Sequence, residues 1–306
     1  RVFSDMTDQP KALLAALDER FFIETLETER RQQSKDGTVK YLFRLPDGNC
    51  IETVLMRYSY GNTVCVSTQV GCRMGCRFCA STQGGRVRNL TAGEIANEVY
   101  AAARDTGERV SHIVLMGIGE PLDNFDHVMD FLSIISSPNG VNIGMRNISL
   151  STCGLVPMIY KLAERHLGLT LSVSLHAPTD EMRSSMMPVN DVYPGEQLIR
   201  ACRDYQQETG RRVSFEYSMV NGVNDSPQTA RRLAQLIKGM GAHVNLIPIN
   251  PVDGSPYSAT DAANVKRFQT LLTELGVNAT VRRRLGTDIS AACGQLRREA
   301  KGGTTA

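Results

Sequence analysis

"QVGCRMGCRFCAS", residues 69–81, places Cys72, Cys76 and Cys79 within eight residues at a C-x3-C-x2-C spacing. A structural zinc site closes on four ligands, usually as paired C-x2-C knuckles, and no second knuckle is present. A low-potential ferredoxin cluster also takes four thiolates, at other spacings. Three thiolates on a four-iron cluster would leave one iron without a protein ligand. That open position could chelate a small molecule.

Outward from this stretch, short apolar runs alternate with helical ones. Candidate strands are Thr63–Val70, His112–Met116, Asn147–Ser151, Thr170–Ser174, Val213–Tyr217 and His243–Ile249. Consecutive apolar positions suit strands buried on both faces of a parallel sheet. Thr91-Ala-Gly-Glu94 is a capping box that opens a helix, and Ser226-Pro227 supplies an N-cap with proline at the first helical position. Further helices are expected near 124–136, 157–166, 193–209 and 261–275. Six strands, each followed by a helix, predict an α/β fold, a partial, open (β/α)6 barrel; a doubly wound sheet is the alternative.

Residues 1–60 differ from this pattern. "KALLAAL" and "RFFIETLETER" suggest a helical start, and residues 38–68 alternate like antiparallel strands turning at Pro46-Asp47-Gly48 and Tyr60-Gly61-Asn62. The expected organisation is a small N-terminal α+β accessory module over 1–60, a barrel with a C-terminal segment over 61–296, and a basic, flexible tail over 297–306. The chain begins at Arg1 rather than Met, so the accessory module is expected to be truncated.

A chain of 306 residues with 42% hydrophobic and 22% charged residues is ordinary for a protein with a sizeable core. No apolar run reaches the roughly 18 residues of a membrane span and no signal peptide opens the chain, so a cytoplasmic location is expected. Eight cysteines in such a chain argue for metal or redox chemistry over a disulfide scaffold. The net charge of +2 hides an uneven distribution. Residues 1–30 carry four basic and seven acidic side chains, whereas 277–306 carry six basic and two acidic. Arg73, Arg77, Arg86 and Arg88 lie in a stretch without acids. Such basic residues suit either a solvated surface or a phosphate backbone.

Barrel chemistry gathers where strands end, and the unusual residues fall there: the cysteine loop, "MGIGEPLDN", "STCG", "SLHAP", "EYSMVNGVND" and "IPINP". "GIGEP" fails the dinucleotide pattern, because its third glycine would fall at Leu122.

The cysteine spacing after a first barrel strand resembles the radical S-adenosylmethionine superfamily. Together with "VSTQVGCRMGCRFCAS", "SLSTCG", "VNLIPINP" and "DISAACGQL", the motifs resemble, in order, the RlmN/Cfr family of RNA adenine methyltransferases over about Asp47 to Leu296. The resemblance implies a 4Fe-4S cluster on Cys72, Cys76 and Cys79, and S-adenosylmethionine bound by Gly119, Glu120, Ser151, Ser174, Leu175, His176 and Asn250. It further implies Cys293 as the thiol that becomes methylated, Cys65 as its transient disulfide partner, and Glu52 as a proton acceptor; whether Cys65 or Glu52 takes the proton stays open.

Two S-adenosylmethionine molecules would be used per turnover: one methylating Cys293, the other generating the radical that attacks its methyl group. Carbon 2 of adenine is too weakly acidic to attack a sulfonium methyl directly, whereas a thiolate can. Implied partners are 23S rRNA, tRNA as some family members accept, and an electron donor such as a flavodoxin system, with the protein a monomer. Gly119-Glu120-Pro121-Leu122 resembles the carbon-2 branch. A carbon-8, resistance-conferring methyltransferase is the alternative, and a non-catalytic iron–sulfur or zinc RNA-binding module is a more distant one. Cys50, Cys153 and Cys202 match no catalytic position and read as packing residues, as do Met116, Met145, Met186 and Met187.

Overall fold

A computed structural model describes residues 2–249 and 256–289. Asn250, Cys293 and the basic tail lie outside the described residues.

The chain opens with helix α1 (Lys11–Arg20) and an antiparallel meander of β1 (Glu27–Gln33), β2 (Val39–Arg44), β3 (Cys50–Tyr58) and β4 (Gly61–Cys65). The β2–β3 turn places Gly48 at φ +80°, a conformation glycine adopts without steric cost. "RFFIETLETER" is not helical. Helix α1 stops at Arg20, Phe21 is extended, and the chain enters β1 at Glu27. β1 is a polar edge strand whose charged side chains face solvent, so pairing with β2 overrides the helix-forming composition.

The expected first strand, Thr63–Val70, is also divided. β4 ends at Cys65, and β5 (Gln69–Gly71) turns away to pair with β6 (Arg86–Asn89) in a separate hairpin whose connection carries the three cysteines. The remaining chain alternates helices and strands: α2 (Ala92–Thr106), β7 (Val110–Leu115), α3 (Phe125–Ser136), β8 (Ile148–Thr152), α4 (Val156–Ala163) and β9 (Thr170–Ser174). Then come α5 (Asp180–Met186), α6 (Val189–Val192), α7 (Gly195–Thr209), β10 (Val213–Met219), α8 (Pro227–Leu236), β11 (His243–Pro248), α9 (Ala262–Glu274) and β12 (Asn278–Val281). Thr91 and Glu94 close the expected capping box on α2, which ends on left-handed Gly107. Ser226 caps α8 with Pro227 in its first turn.

The strands form one sheet in the order β1-β2-β3-β4-β7-β8-β9-β10-β11-β12, parallel from β4 onward. Six βα units follow the sequence expectation, and β12 adds a seventh parallel strand that its four residues did not announce. The accessory strands therefore extend the barrel sheet directly. One face packs against the helices through Leu55, Val64, Ile113, Leu150, Leu171 and Phe215, all buried. The opposite face of β3, β4 and β7 carries Val54, Met56, Cys65, Val114 and Met116.

Glu98 of α2 is buried beneath the β3–β4 edge, where its carboxylate accepts the Ser67 N–H at 3.0 Å and the Thr53 hydroxyl. Burial pushes its pKa well above the carboxylate range, although both donors oppose the shift. The folded state thus holds a proton that the unfolded chain releases, and stability from this group falls as pH rises above about 4.5. Glu98→Gln should lose less stability than the parent between about pH 5 and about pH 7, by at most about 1.4 kcal/mol per pH unit. Denaturant melts giving equal pH slopes would contradict this.

Candidate active site

At the C-terminal strand ends the chain encloses a cavity of about 290 Å³, near the small end of the range for ligand sites. Its wall gathers residues from every βα junction, including Cys72, Cys76 and Cys79, then Gly119 and Glu120, Ser151, Ser174 and His176. The structure thus brings together most positions singled out from sequence. Leu175 is the exception: its side chain enters the hydrophobic core, and only its backbone joins the rim, donating to the Glu216 carbonyl.

The cysteine loop is fixed through its backbone. The Cys72 N–H donates to the Gly85 carbonyl, Arg77 N–H to Met186, and the Thr82 hydroxyl to the carbonyls of Cys76 and Cys79. Burial raises the Cys72 thiol to about 12 and pushes Cys76 higher still. A bound cation would reverse that tendency. Among the described residues, no three His, Cys, Asp or Glu side chains converge on a single metal ion.

Three of the four arginines around this loop are committed to the fold. Arg73 and Arg86 both pair with Asp123, and Arg88 bridges Asp47 and Glu94. Their ion pairs tie the cysteine hairpin to the neighbouring loops, and among the described residues Arg77 alone of the four lacks a carboxylate partner. The acid-free stretch in sequence is therefore mostly neutralised in space.

Glu120 is the buried anchor of the rim. Its carboxylate accepts the Leu122 N–H at 3.0 Å and the Cys153 N–H at 2.7 Å, joining the ends of β7 and β8, and its own N–H donates to Gln69. Burial raises its pKa, with those N–H donors pulling the other way. Among the described residues no basic side chain pairs with it. A carboxyl so placed at a cavity wall fits a ligand ammonium. Gly119 (φ +111°) and Gly117 permit this approach: a Cβ on Gly117 would lie 2.6 Å from the Val66 carbonyl oxygen, and one on Gly119 would lie 2.8 Å from Gln69 N.

His176 sits at φ +58° with its Nδ1 accepting the Ser218 N–H at 2.9 Å and Phe78 edge-on at 4.9 Å. Burial, aided by the Arg183 charge, lowers its pKa to about 3, so the ring is neutral and its Nε2 carries the proton. Arg183, itself buried, donates to the carbonyls of Cys153, Ser174 and Leu175 and to Asn190 Oδ1. Asn224 donates to the carbonyls of His176 and Ser218.

Sequence reasoning missed Glu216, Ser218 and Arg282 in the wall, and took Cys153, Met116 and Met187 for packing residues although all three line the cavity. Their signal, Met187 apart, was only position at a strand end.

Glu52 and Cys65 are absent from the cavity lining and lie on one face of β3 and β4, the face that also carries Val54 and Met116. Cys65 is opposite Val54 of β3 and packs with Met116, which lines the cavity. Leu285 joins the same cluster. Its segment is tethered to the β1–β2 turn: the Gly286 N–H donates to Asp36 at 2.8 Å, and Asp288 accepts the Lys35 N–H and the Ser34 hydroxyl.

The Radical SAM superfamily profile matches residues 66–234. Over 97% of its length the chain is 52% identical to a probable dual-specificity RNA methyltransferase RlmN of Clostridium botulinum, strain Eklund 17B, covering 86% of that protein. It is 54% identical to the same-named protein of Desulforamulus reducens, covering 97% of this chain and 85% of that one. The crystal structure of a radical SAM methyltransferase from Sphaerobacter thermophilus superposes with a TM-score of 0.92 at 49% identity, over 96% of this chain and 87% of that one.

Gly117→Ala should destabilise the protein by about 1–3 kcal/mol through overpacking. Gly144→Ala, at an open position, should stay within about 0.5 kcal/mol of the parent. Equal melting shifts for the two would show that the rim is not packed this closely.

Proposed function

The chain belongs to the radical SAM superfamily and, within it, to the RlmN RNA methyltransferases, and from that membership we propose that it methylates carbon 2 of an adenine in 23S rRNA and in tRNA. The observation that carries the reading is the cavity where Cys72, Cys76 and Cys79 face Glu120, a buried carboxyl without a cationic partner among the described residues.

Membership implies a 4Fe-4S cluster and S-adenosylmethionine. Cys72, Cys76 and Cys79 would hold the cluster; Glu120 would take the methionine ammonium, with Gly119 giving the backbone room to approach. Ser151, Ser174, His176 and Asn250 would complete the cofactor site, His176 offering a neutral Nε2–H donor, and Leu175 would contribute backbone only. Bound there, the pair supplies one-electron cleavage of the sulfonium to a radical that abstracts hydrogen.

The protein's own thiols then account for the methyl group's route. Cys293 would accept a methyl from one S-adenosylmethionine, since a thiolate displaces at a sulfonium methyl and an aromatic C–H does not. After hydrogen loss from that methyl and its addition to the ring, protein and RNA are joined through the Cys293 sulfur. Release needs the ring carbon's proton removed and the carbon–sulfur bond broken. Cys65 would take up the Cys293 sulfur as a disulfide while the carbon–sulfur bonding pair passes to the methylene carbon, which takes a proton to become the methyl group; Glu52 or Cys65 would accept the ring proton, and the adduct's unpaired electron would leave to an external one-electron carrier. An external reductant, also the source of the cluster's electron, would reopen the disulfide.

Cys293 lies four residue steps beyond Ile289, at most about 14 Å of extended chain. The tether at the β1–β2 turn and the packing of Leu285 against the cluster of Val54, Met56 and Cys65 support delivery of Cys293 to this side of the barrel. Glu120-Pro121 favours carbon 2 over carbon 8.

Anaerobically reconstituted protein, given S-adenosylmethionine, a reductant and unmodified RNA, should yield 2-methyladenosine by nucleoside mass spectrometry. 8-Methyladenosine would assign the alternative carbon, and neither product from protein with an intact cluster would refute methylation. Cys65→Ala should retain RNA covalently on a denaturing gel, whereas Cys293→Ala should not. Absence of the adduct in the first variant would refute the release step.

A further inference from the structure

Lys40 is wholly buried in β2, an unusual place for an ammonium. Its Nζ lies 3.0 Å from Glu52 Oε2, and both side chains are sealed from solvent. The sheet register explains the contact. Lys40 is opposite Val54, Val54 is opposite Cys65, and Cys65 is opposite Val114, so Lys40 and Cys65 occupy one row across β2, β3 and β4 on one face. Glu52 is two residues along β3 from that row. It is therefore a diagonal neighbour of both Lys40 and Cys65, with Cβ separations of roughly 7–8 Å expected for such pairs.

We propose that Lys40 is a positioning residue for product release: its ammonium pairs with the buried Glu52 carboxylate and aims it along the sheet face toward Cys65. This rests on the reading above in which Glu52 takes the ring proton. A carboxylate out of water keeps its charge only against a counter-charge or several donors, and a proton acceptor must be in its charged form to act. An exposed carboxylate could be aimed by water or by either neighbour. Here both partners are buried, and the ammonium is a positive charge fixed against the carboxylate at hydrogen-bond distance. The backbone on the far side is fixed too, since the Ser67 hydroxyl donates to the Glu52 carbonyl at 2.7 Å and accepts the Ile118 N–H. Glu52 is thereby placed relative to both Cys65 and the cavity rim.

The test compares Lys40→Met, Lys40→Arg, Glu52→Gln and the double variant Lys40→Met/Glu52→Gln in the reconstituted enzyme. Two outputs are followed, the covalent protein–RNA adduct and the released methylated adenosine. A structural role would lower both together. Positioning predicts that Lys40→Met raises the adduct-to-product ratio several-fold, as Glu52→Gln does, and that Lys40→Arg restores it. A normal ratio in Lys40→Met, or a parallel loss of both outputs, overturns the proposal.

Should Lys40→Met fail to fold, the double variant still tests the proposal, because it removes both charges of the pair. It should match Glu52→Gln alone; a ratio several-fold higher would mean that Lys40 acts elsewhere and would overturn the proposal. A normal ratio in Glu52→Gln itself would instead remove Glu52 from the release step, a failure of the underlying reading distinguishable from a failure confined to Lys40.

Discussion

Buried polar side chains must find partners, and along the rim of this barrel they find them in the backbone of the next strand. Glu98 accepts from Ser67, whose hydroxyl bridges β3 to the loop after β7. Glu120 joins that loop to the end of β8, Arg183 joins β8 to β9, and Asn224 joins β9 to β10. The result is a hydrogen-bonded chain running through the ends of successive strands. Removing one member leaves a buried partner unsatisfied, at about 1–3 kcal/mol each. The functional loops are therefore held as a unit, although each comes from a different part of the sequence.

The two faces of the sheet divide the work. The helix-facing side is apolar and supplies stability through area removed from water. The other face holds Lys40, Glu52 and Cys65 around a few apolar neighbours, which is costly unless charge is matched within the sheet. The ion pair of Lys40 and Glu52 meets that demand inside the protein. At Glu120 the demand is left partly open, with N–H donors but no cation among the described residues, and a ligand ammonium would complete it. The same physics thus separates a charge matched inside the sheet from one that a ligand ammonium would match.

The six βα units were legible because buried parallel strands read as apolar runs, and Thr91-Glu94 and Ser226-Pro227 mark helix starts by local chemistry. The strand-end location of Cys72, Gly119, Ser151, Ser174 and His176 followed from that topology. Residues 20–30 misled, because an edge strand is polar all round and its state is set by its partner. β12 escaped notice because four residues carry little periodicity. Glu216, Arg282 and Cys153 were invisible as wall residues since nothing in one sequence says which way a strand-end side chain turns. The arginines near the cysteines suited either a solvated surface or a phosphate backbone, and their pairing with Asp123, Asp47 and Glu94 is tertiary information. Lys40 carries no signal of its own in the sequence; the register alone places it in one row with Cys65.

The central claim is that the methyl group passes through a protein thiol and loses a hydrogen before reaching the RNA. Supplying S-adenosylmethionine with a trideuterated methyl group and weighing the product nucleoside tests it directly. The account predicts methyladenosine carrying two deuterium atoms, with the third recovered in the cleaved cofactor. A product retaining all three would mean direct displacement, and would contradict it.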